Sequence, residues 1–473
     1  MEVPMGETSA LADLLLLAEW GPRQLVAAIN ARLSSQGRDR LRLDPTAGYS
    51  WVRRGFRPRP PIPDIAAAVL TDRVGYAITA DQLWPGRSRT ASAPRSAAAG
   101  LDALTHIDDL MRELSLLTTS APTPSSPVAD ACGADLTATV LDQLRSAVLV
   151  ARNRAGHEHV LPEQVSLIAA HVGALRRLDD RHGGGTLSLR YVTAELRNVV
   201  DLVEYANYDV RTGRRLLAIV ADLAQLLGWL HFDSSRYGSA ERYLLLSIGV
   251  CRALAAHDRA ANAIGMLSYV SAFAGHGHQA VRLAEAAAAE DRRTDPVLRA
   301  RLLGRDATAA AADGDLARFR RCADRATMLL ESGRNPDSTS FLYYLSPMQL
   351  AAESGQGLVV LAERTTANRD RLLDEGIDLL ADSVASMITP VERPPYARSG
   401  LLHLTFLARA HLLRGNLPEA VAVMRTGLEL LPQVQSPRGR NYLRRLRPIL
   451  ARRARSSAVA DFLPEFDTTL STV

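Results

Sequence analysis

The stretch LLHLTFLARAHLLRGNLPEAVAVMRTGLELLP, residues 401–432, decides the fold. Its apolar residues recur at helical spacing on both sides of Gly415-Asn416, a pair suited to ending one helix and turning into the next. Helices joined so briefly must pack antiparallel, and small side chains must stand where their backbones meet. Leu404, Leu407, Ala408, His411, Gly415, Asn416, Ala420 and Pro432 meet these demands at the spacing of a helical hairpin repeated every roughly 34 residues.

Earlier segments follow the same grammar. Residues 223–248, LAQLLGWLHFDSSRYGSAERYLLLSI, place Leu227, Gly228 and Ala240 in register, and 263–287 do so with Leu267, Ser268, Gly275 and Ala280. Residues 303–326 carry Gly314-Asp315 but have Phe319 where Ala is expected, and a fourth unit from Tyr344 to Val360 keeps Gly355. Equivalent positions then fall at 240, 280, 319, 360 and 420, in steps of 40, 39, 41 and 60 residues, the last hiding an insertion that includes VERPPYARSG. This is the tetratricopeptide pattern in a long-helix form, and a register held over several units predicts stacked hairpins. Segments 163–182 and 187–207 read as further helices upstream.

Composition agrees with an all-α chain. Of 473 residues 47% are hydrophobic, and only 5% are aromatic, too few for a large β-sandwich or barrel. All 56 basic residues are Arg, which excludes Schiff-base, phosphate-loop and kinase-type lysine chemistry. Cys132, Cys251 and Cys322 are odd in number and form no CxxC pair, so a reducing cytoplasm is expected. The opening MEVPMGETSALADLLLL lacks the basic region of a signal peptide, and no uncharged apolar run of ~18 residues suggests a membrane span.

The first 85 or so residues have a different character. A helix over 11–19 is followed by Gly21-Pro22 and a second helix, RQLVAAINARL. TAGYSWVRRG forms a third, ending at Gly55, and DIAAAVLTDRVG and TADQLW supply two more. Short helices in this order suggest a helix-turn-helix layout, with Trp51 as a core anchor, although the connection SSQGRDRLRLDP exceeds the usual turn. Seven Arg between 38 and 59 stand against two Asp, and Arg can neutralise phosphates or bind a guanine edge. A solvated face is the plain alternative. Tyr49, Ser50, Arg53 and Arg54 on the third helix, with Arg57 beyond it, are the candidate groove contacts. A second cluster, eight Arg and no acid over 438–455, reads as a polar capping helix or a second grip on nucleic acid.

WGPRQLVAAIN, YSWVRRGFRPRPPIPDIAAAVL and ITADQLWPG, together with ALRRLDDRHGGG (174–185) and the segment 223–248, resemble actinobacterial Xre-like helix-turn-helix regulators with tetratricopeptide bodies. Members of that family include negative regulators of sporulation and antibiotic production. The resemblance implies groove contacts from Tyr49, Ser50, Arg53 and Arg54 and backbone contacts near Arg23 and Gln24. It assigns no mechanism to LDDRHGGG, whose glycines most simply end a helix.

The expected organisation is a helix-turn-helix domain over 8–86, a linker with one short helix (101–117) over 87–134, a solenoid over 135–455 and a tail over 456–473. Catalysis is not expected. His157-Glu158-His159 and His276-Gly277-His278 lack metal-ligand spacing, and no GxSxG, phosphate loop or GxGxxG lies in a strand–turn–helix setting. Neither metal nor cofactor is implied. The expected function is a homodimeric regulator that binds double-stranded DNA and senses a peptide, small molecule or protein on the solenoid's concave face, at Asp222, Gln225, Trp229, Asn262, Tyr269 and Phe273. The alternative is a tetratricopeptide scaffold whose helix-turn-helix no longer binds DNA.

Overall fold

The structure is a computed structural model. It describes residues 11, 14, 15, 18, 20–35, 37–54, 56–74, 78, 80–84, 95–96, 101, 106–119, 128–129, 134–145, 158–183, 185–291, 295–332, 340–366, 368–389, 396–434 and 436–472. The protein is all-α, and it divides into two compact units, Met1–Ala93 and Pro94–Val473.

In the first unit α1 (Pro22–Ser35), α2 (Ala47–Arg54), α3 (Ile62–Val74) and the single turn α4 (Ala80–Leu83) enclose their own core. Leu25, Val26, Ile29 and Leu33 of α1 share one buried face at helical spacing and meet Ile65 and Leu70 of α3. Trp51 is the expected anchor: it is buried, with its ring edge-on to Trp84 at 6.0 Å. The long connection after α1 holds a 3-10 turn, Asp39–Leu41, and is pinned by Asn30. The Asn30 amide donates to the Leu43 carbonyl (3.0 Å) and accepts from the Leu43 N–H (2.9 Å).

The second unit begins with α5 (Ile107–Thr119) and α6 (Ala134–Arg145), and residues 95–96 pair in parallel with 128–129. The expectation of a linker here is corrected. Leu110, Met111 and Leu114 of α5 are buried in the body's main core, and Glu113 is ion-paired at 2.6 Å with Arg242, itself almost wholly buried. Next come α7 (Pro162–His182) and α8 (Thr186–Tyr205), close to the upstream segments anticipated above.

Five hairpins follow: α9 (Val210–Asp233) with α10 (Tyr237–Ala253), α11 (His257–Phe273) with α12 (Gly277–Glu290), α13 (Pro296–Asp313) with α14 (Leu316–Glu331), α15 (Pro347–Arg364) with α16 (Arg369–Ile388), and α17 (Ala397–Arg414) with α18 (Leu417–Leu430). A left-handed residue makes each internal turn: Ser235, Gly275, Gly314, Asn368 and Gly415. Asp295, Ser346 and Ser436 each precede a Pro and accept a backbone N–H at a helix start. α9 has the length and apolar composition of a membrane span, but most of it is buried within the body.

The register of the fourth repeat is also corrected. Gly355 lies inside α15, where a Cβ would sit 3.0 Å from the Gly376 carbonyl and 2.8 Å from Leu380, so it serves close helix packing and not a turn. Asn368 makes that turn, and Leu372 replaces Val360 as the equivalent position. Residues 456–473 are no tail either. α19 (Pro437–Ala451) is followed by α20 (Ser457–Thr472), whose Val459, Phe462 and Phe466 are fully buried against the last hairpin.

Candidate functional site

The body does not stay open. Its hairpins curl until α7 packs against α17, and Gly183, at the end of α7, fits so tightly that a Cβ would lie 3.1 Å from Ser436 and 3.3 Å from Arg398. The concave face thereby becomes a cavity, with about 1210 Å³ of space counted out to its open mouth.

Gln225, Trp229, Asn262, Tyr269 and Phe273, five of the six concave-face candidates, line this one cavity. They come from α9 and α11, the first helices of consecutive hairpins, which present residues at the same helical positions to the interior. Asp222 is placed otherwise. It is not in the lining, and its carboxylate is held between Arg176, at 3.1 Å, and Arg259.

The aromatic rings form one connected wall. Trp229 stands 6.0 Å from Tyr269, Tyr269 stands 4.5 Å from Phe273, and Phe273 stacks on Tyr442 at 6.4 Å. Guanidinium groups surround it: Arg398, Arg438 and Arg305 lie 5.0, 5.3 and 5.9 Å from the Trp229 ring centroid, and Arg305 lies 3.9 Å from that of Tyr269. All three arginines are buried.

Most of this charge is answered inside the protein. Arg301 donates to both Glu353 oxygens through its two terminal nitrogens, Nη1 at 3.1 Å. Burial pushes the Glu353 carboxyl up, but Arg301, Arg305 and hydrogen bonds from Arg301 and Gln349 outweigh it and hold the group at about 2. Asp233 lies between Arg398 (3.5 Å) and Arg438 (3.4 Å), in directions that satisfy no hydrogen bond. Asp179 faces Arg398 at 3.5 Å, yet burial dominates and raises its carboxyl to about 7. Asp180 accepts from the Tyr343 hydroxyl. His403, also in the wall, is driven down to about 4 by burial and so stays neutral.

Sequence reasoning missed several of these groups. Arg176, Asp179 and Asp180 belong to the unexplained LDDRHGGG region, and Arg438 to the C-terminal Arg cluster. The available signal in the first was the spacing of Arg176, Asp179 and Asp180 at i, i+3 and i+4, which puts them on one helix face. Nothing local marked Arg438. Its neighbour on the next turn but one, Arg447, instead pairs outward with Asp467 at 2.8 Å.

In the first unit Arg23 and Gln24 at the start of α1 are exposed, and Arg23 lies over the exposed Tyr49 ring of α2, 5.9 Å from its centroid. Gln24 accepts the Gly21 N–H at 2.6 Å. Ser50 donates to the Ala47 carbonyl within its own helix, and Arg57 is half-buried beyond α2. Arg53 and Arg54 are in α2 by their backbone, and their side chains lie outside the described residues. Three of the seven DNA-contact candidates therefore share one exposed patch.

Elsewhere the described residues include no group of three or more His, Cys, Asp or Glu disposed to hold a metal ion. Cys251 and Cys322 are buried free thiols, both raised to about 12, chiefly by burial. Cys132 and His157 lie outside the described residues. The family model of the SP15 N-terminal domain matches residues 11–83, most of the first unit. A comparison with curated proteins gives no match.

Proposed function

We propose that the chain is a ligand-responsive, DNA-binding transcriptional regulator of the Xre-like type, a homodimeric repressor of development or secondary metabolism acting in a reducing cytoplasm. The observation that carries this reading is the cavity: five residues chosen for a sensing face converge on one aromatic, arginine-rich chamber in the repeat body. A concave chamber with an aromatic wall and polar groups converging on it is the usual setting of a small-molecule site. DNA contact is assigned to the first unit, through Arg23, Gln24, Tyr49, Ser50, Arg53, Arg54 and Arg57. The exposed patch of Arg23 and Tyr49 and the excess of Arg over Asp between 38 and 59 support that assignment. Ligand occupancy regulates DNA binding to the extent that it favours one conformation of the whole chain.

The test is selection from random duplex DNA at near-physiological salt, with the full chain beside its Arg53→Ala/Arg54→Ala variant. The wild type should recover one motif. The variant should bind that motif more weakly, with a salt slope smaller by roughly 1 per lost phosphate contact. If the folded wild type selects nothing, the regulator reading fails and the cavity belongs to an interaction scaffold.

A further inference from the structure

The charges around the cavity do not balance. Asp222 serves Arg176 and Arg259, Glu353 serves Arg301, Asp179 and Asp180 serve Arg398, and Asp233 serves Arg398 and Arg438, five carboxylates for five arginines. Arg305 has no carboxylate within ion-pair distance among the described residues. It is only 5% exposed, and its guanidinium lies against Tyr269 in the cavity wall. Burial, then the neighbouring Arg301, lowers its pKa. Glu353 opposes this from beyond ion-pair distance but is bound directly by Arg301, and a buried guanidinium with no ion pair of its own is costly to the folded state.

Arg305 is not alone in lacking a hydrogen-bond partner among the described residues. Asn262 and Gln356, 6% and 5% exposed, also line the cavity, and neither makes a hydrogen bond to another described residue. Buried polar side chains are normally satisfied within the protein, so unpartnered ones converging on one chamber point to an outside molecule.

We propose that the cavity binds a small organic monoanion, a carboxylate on an apolar or aromatic body. The carboxylate sits on Arg305, and the body lies against Trp229, Tyr269 and Phe273. A cationic head fits poorly, since every cavity carboxylate already faces a guanidinium or a tyrosine hydroxyl. A dianionic phosphate ester would bring two charges to the one arginine that makes no ion pair of its own. The inference rests on reading the cavity as a ligand site.

The test is calorimetric titration of the full chain with four probes that share a body: 3-phenylpropanoate, 3-phenylpropylamine, 3-phenylpropanol and the phosphate monoester of 3-phenylpropanol. The carboxylate should bind tightest. Arg305→Gln should weaken it by about tenfold or more, the usual worth of a charge-assisted hydrogen bond, and leave the alcohol unchanged. The variant should melt close to the wild type, because Glu353 keeps its direct pair with Arg301 and no ion pair is broken. A hydrophobic dipeptide, free or amidated at its C-terminus, separates the two sources of a carboxylate: stronger binding of the free acid than of phenylpropanoate assigns the head group to a peptide end. Should the amine, alcohol or phosphate bind as tightly as the carboxylate, or Arg305→Gln retain it, the anion assignment is overturned while the cavity stands as a ligand site. Binding of none of the probes overturns the assignment and removes the ligand half of the proposed function. The order of the probes on wild type alone decides the matter even if the variant does not fold.

Discussion

Asp179 and His403 face the same chamber and respond to pH in opposite senses. Burial raises the Asp179 carboxyl to about 7, so the folded state holds a proton there that the unfolded chain gives up near pH 4. The stability this group contributes is complete below about pH 4 and is lost as pH rises through about 7. His403 is held down to about 4 by burial, against an ordinary value of 6.5. Its contribution is present above about pH 6.5 and disappears as pH falls towards 4. Two outcomes follow in denaturant titrations. Asp179→Asn should gain on wild type by on the order of 2 kcal/mol between about pH 5 and pH 8, and His403→Gln should gain by a similar amount between about pH 7 and pH 5. Parallel curves for variant and wild type would show that neither group titrates as its surroundings imply. At this scale the aromatic half of the chamber was legible: Trp229, Tyr269 and Phe273 follow from repeat position. The charged half was not, since Asp179 lies more than two hundred positions before Arg398 and Arg438, and no local pattern pairs such residues.

At the scale of elements, α5 shows how a helix can be read correctly and placed wrongly. Its flanks, rich in Ser, Thr, Ala and Pro, suggest a linker, but its own apolar face is buried among α8 and α10. The Glu113 carboxylate reaches the Arg242 side chain at 2.6 and 3.0 Å in surroundings with little solvent. Glu113→Ala should therefore cost about 3–5 kcal/mol, because it leaves a buried guanidinium without its carboxylate. Glu113→Leu combined with Arg242→Met should recover most of that loss in thermal melting. A helix that merely bridged two domains would show no such coupling. The fourth hairpin teaches a related lesson. Glycine serves both turns and close helix contacts, so Gly355 could be assigned to either until its neighbours were known; Asn368 adopts the left-handed turn conformation with less sequence signal.

Across the whole body, stability is distributed along the stack and joined again where the curl brings α7 to α17. Phe462 and Phe466 anchor α20 over the last hairpin, in a core distinct from that of α9–α12. Phe462→Ala should cost about 3–5 kcal/mol. In a stack whose units touch mainly their neighbours, that loss should stay local. Hydrogen exchange should quicken in α17–α20 and at the end of α7, which Arg398 and Ser436 contact, and remain slow in α10–α12. A uniform rise would show that the body unfolds as one cooperative unit.

The amino-acid sequence by itself determined the all-α class, the hairpin grammar of the body and the faces its first helices turn inward, because helical periodicity, turn residues and small contact residues act over a few positions. Only the tertiary structure decided that the concave face closes into a chamber, that the helix near residue 110 belongs to the body, and that Arg305 makes no ion pair of its own among the described residues. Each of these depends on which distant side chains meet, and that is set by the accumulated curvature of the stack, to which every hairpin adds a small rotation.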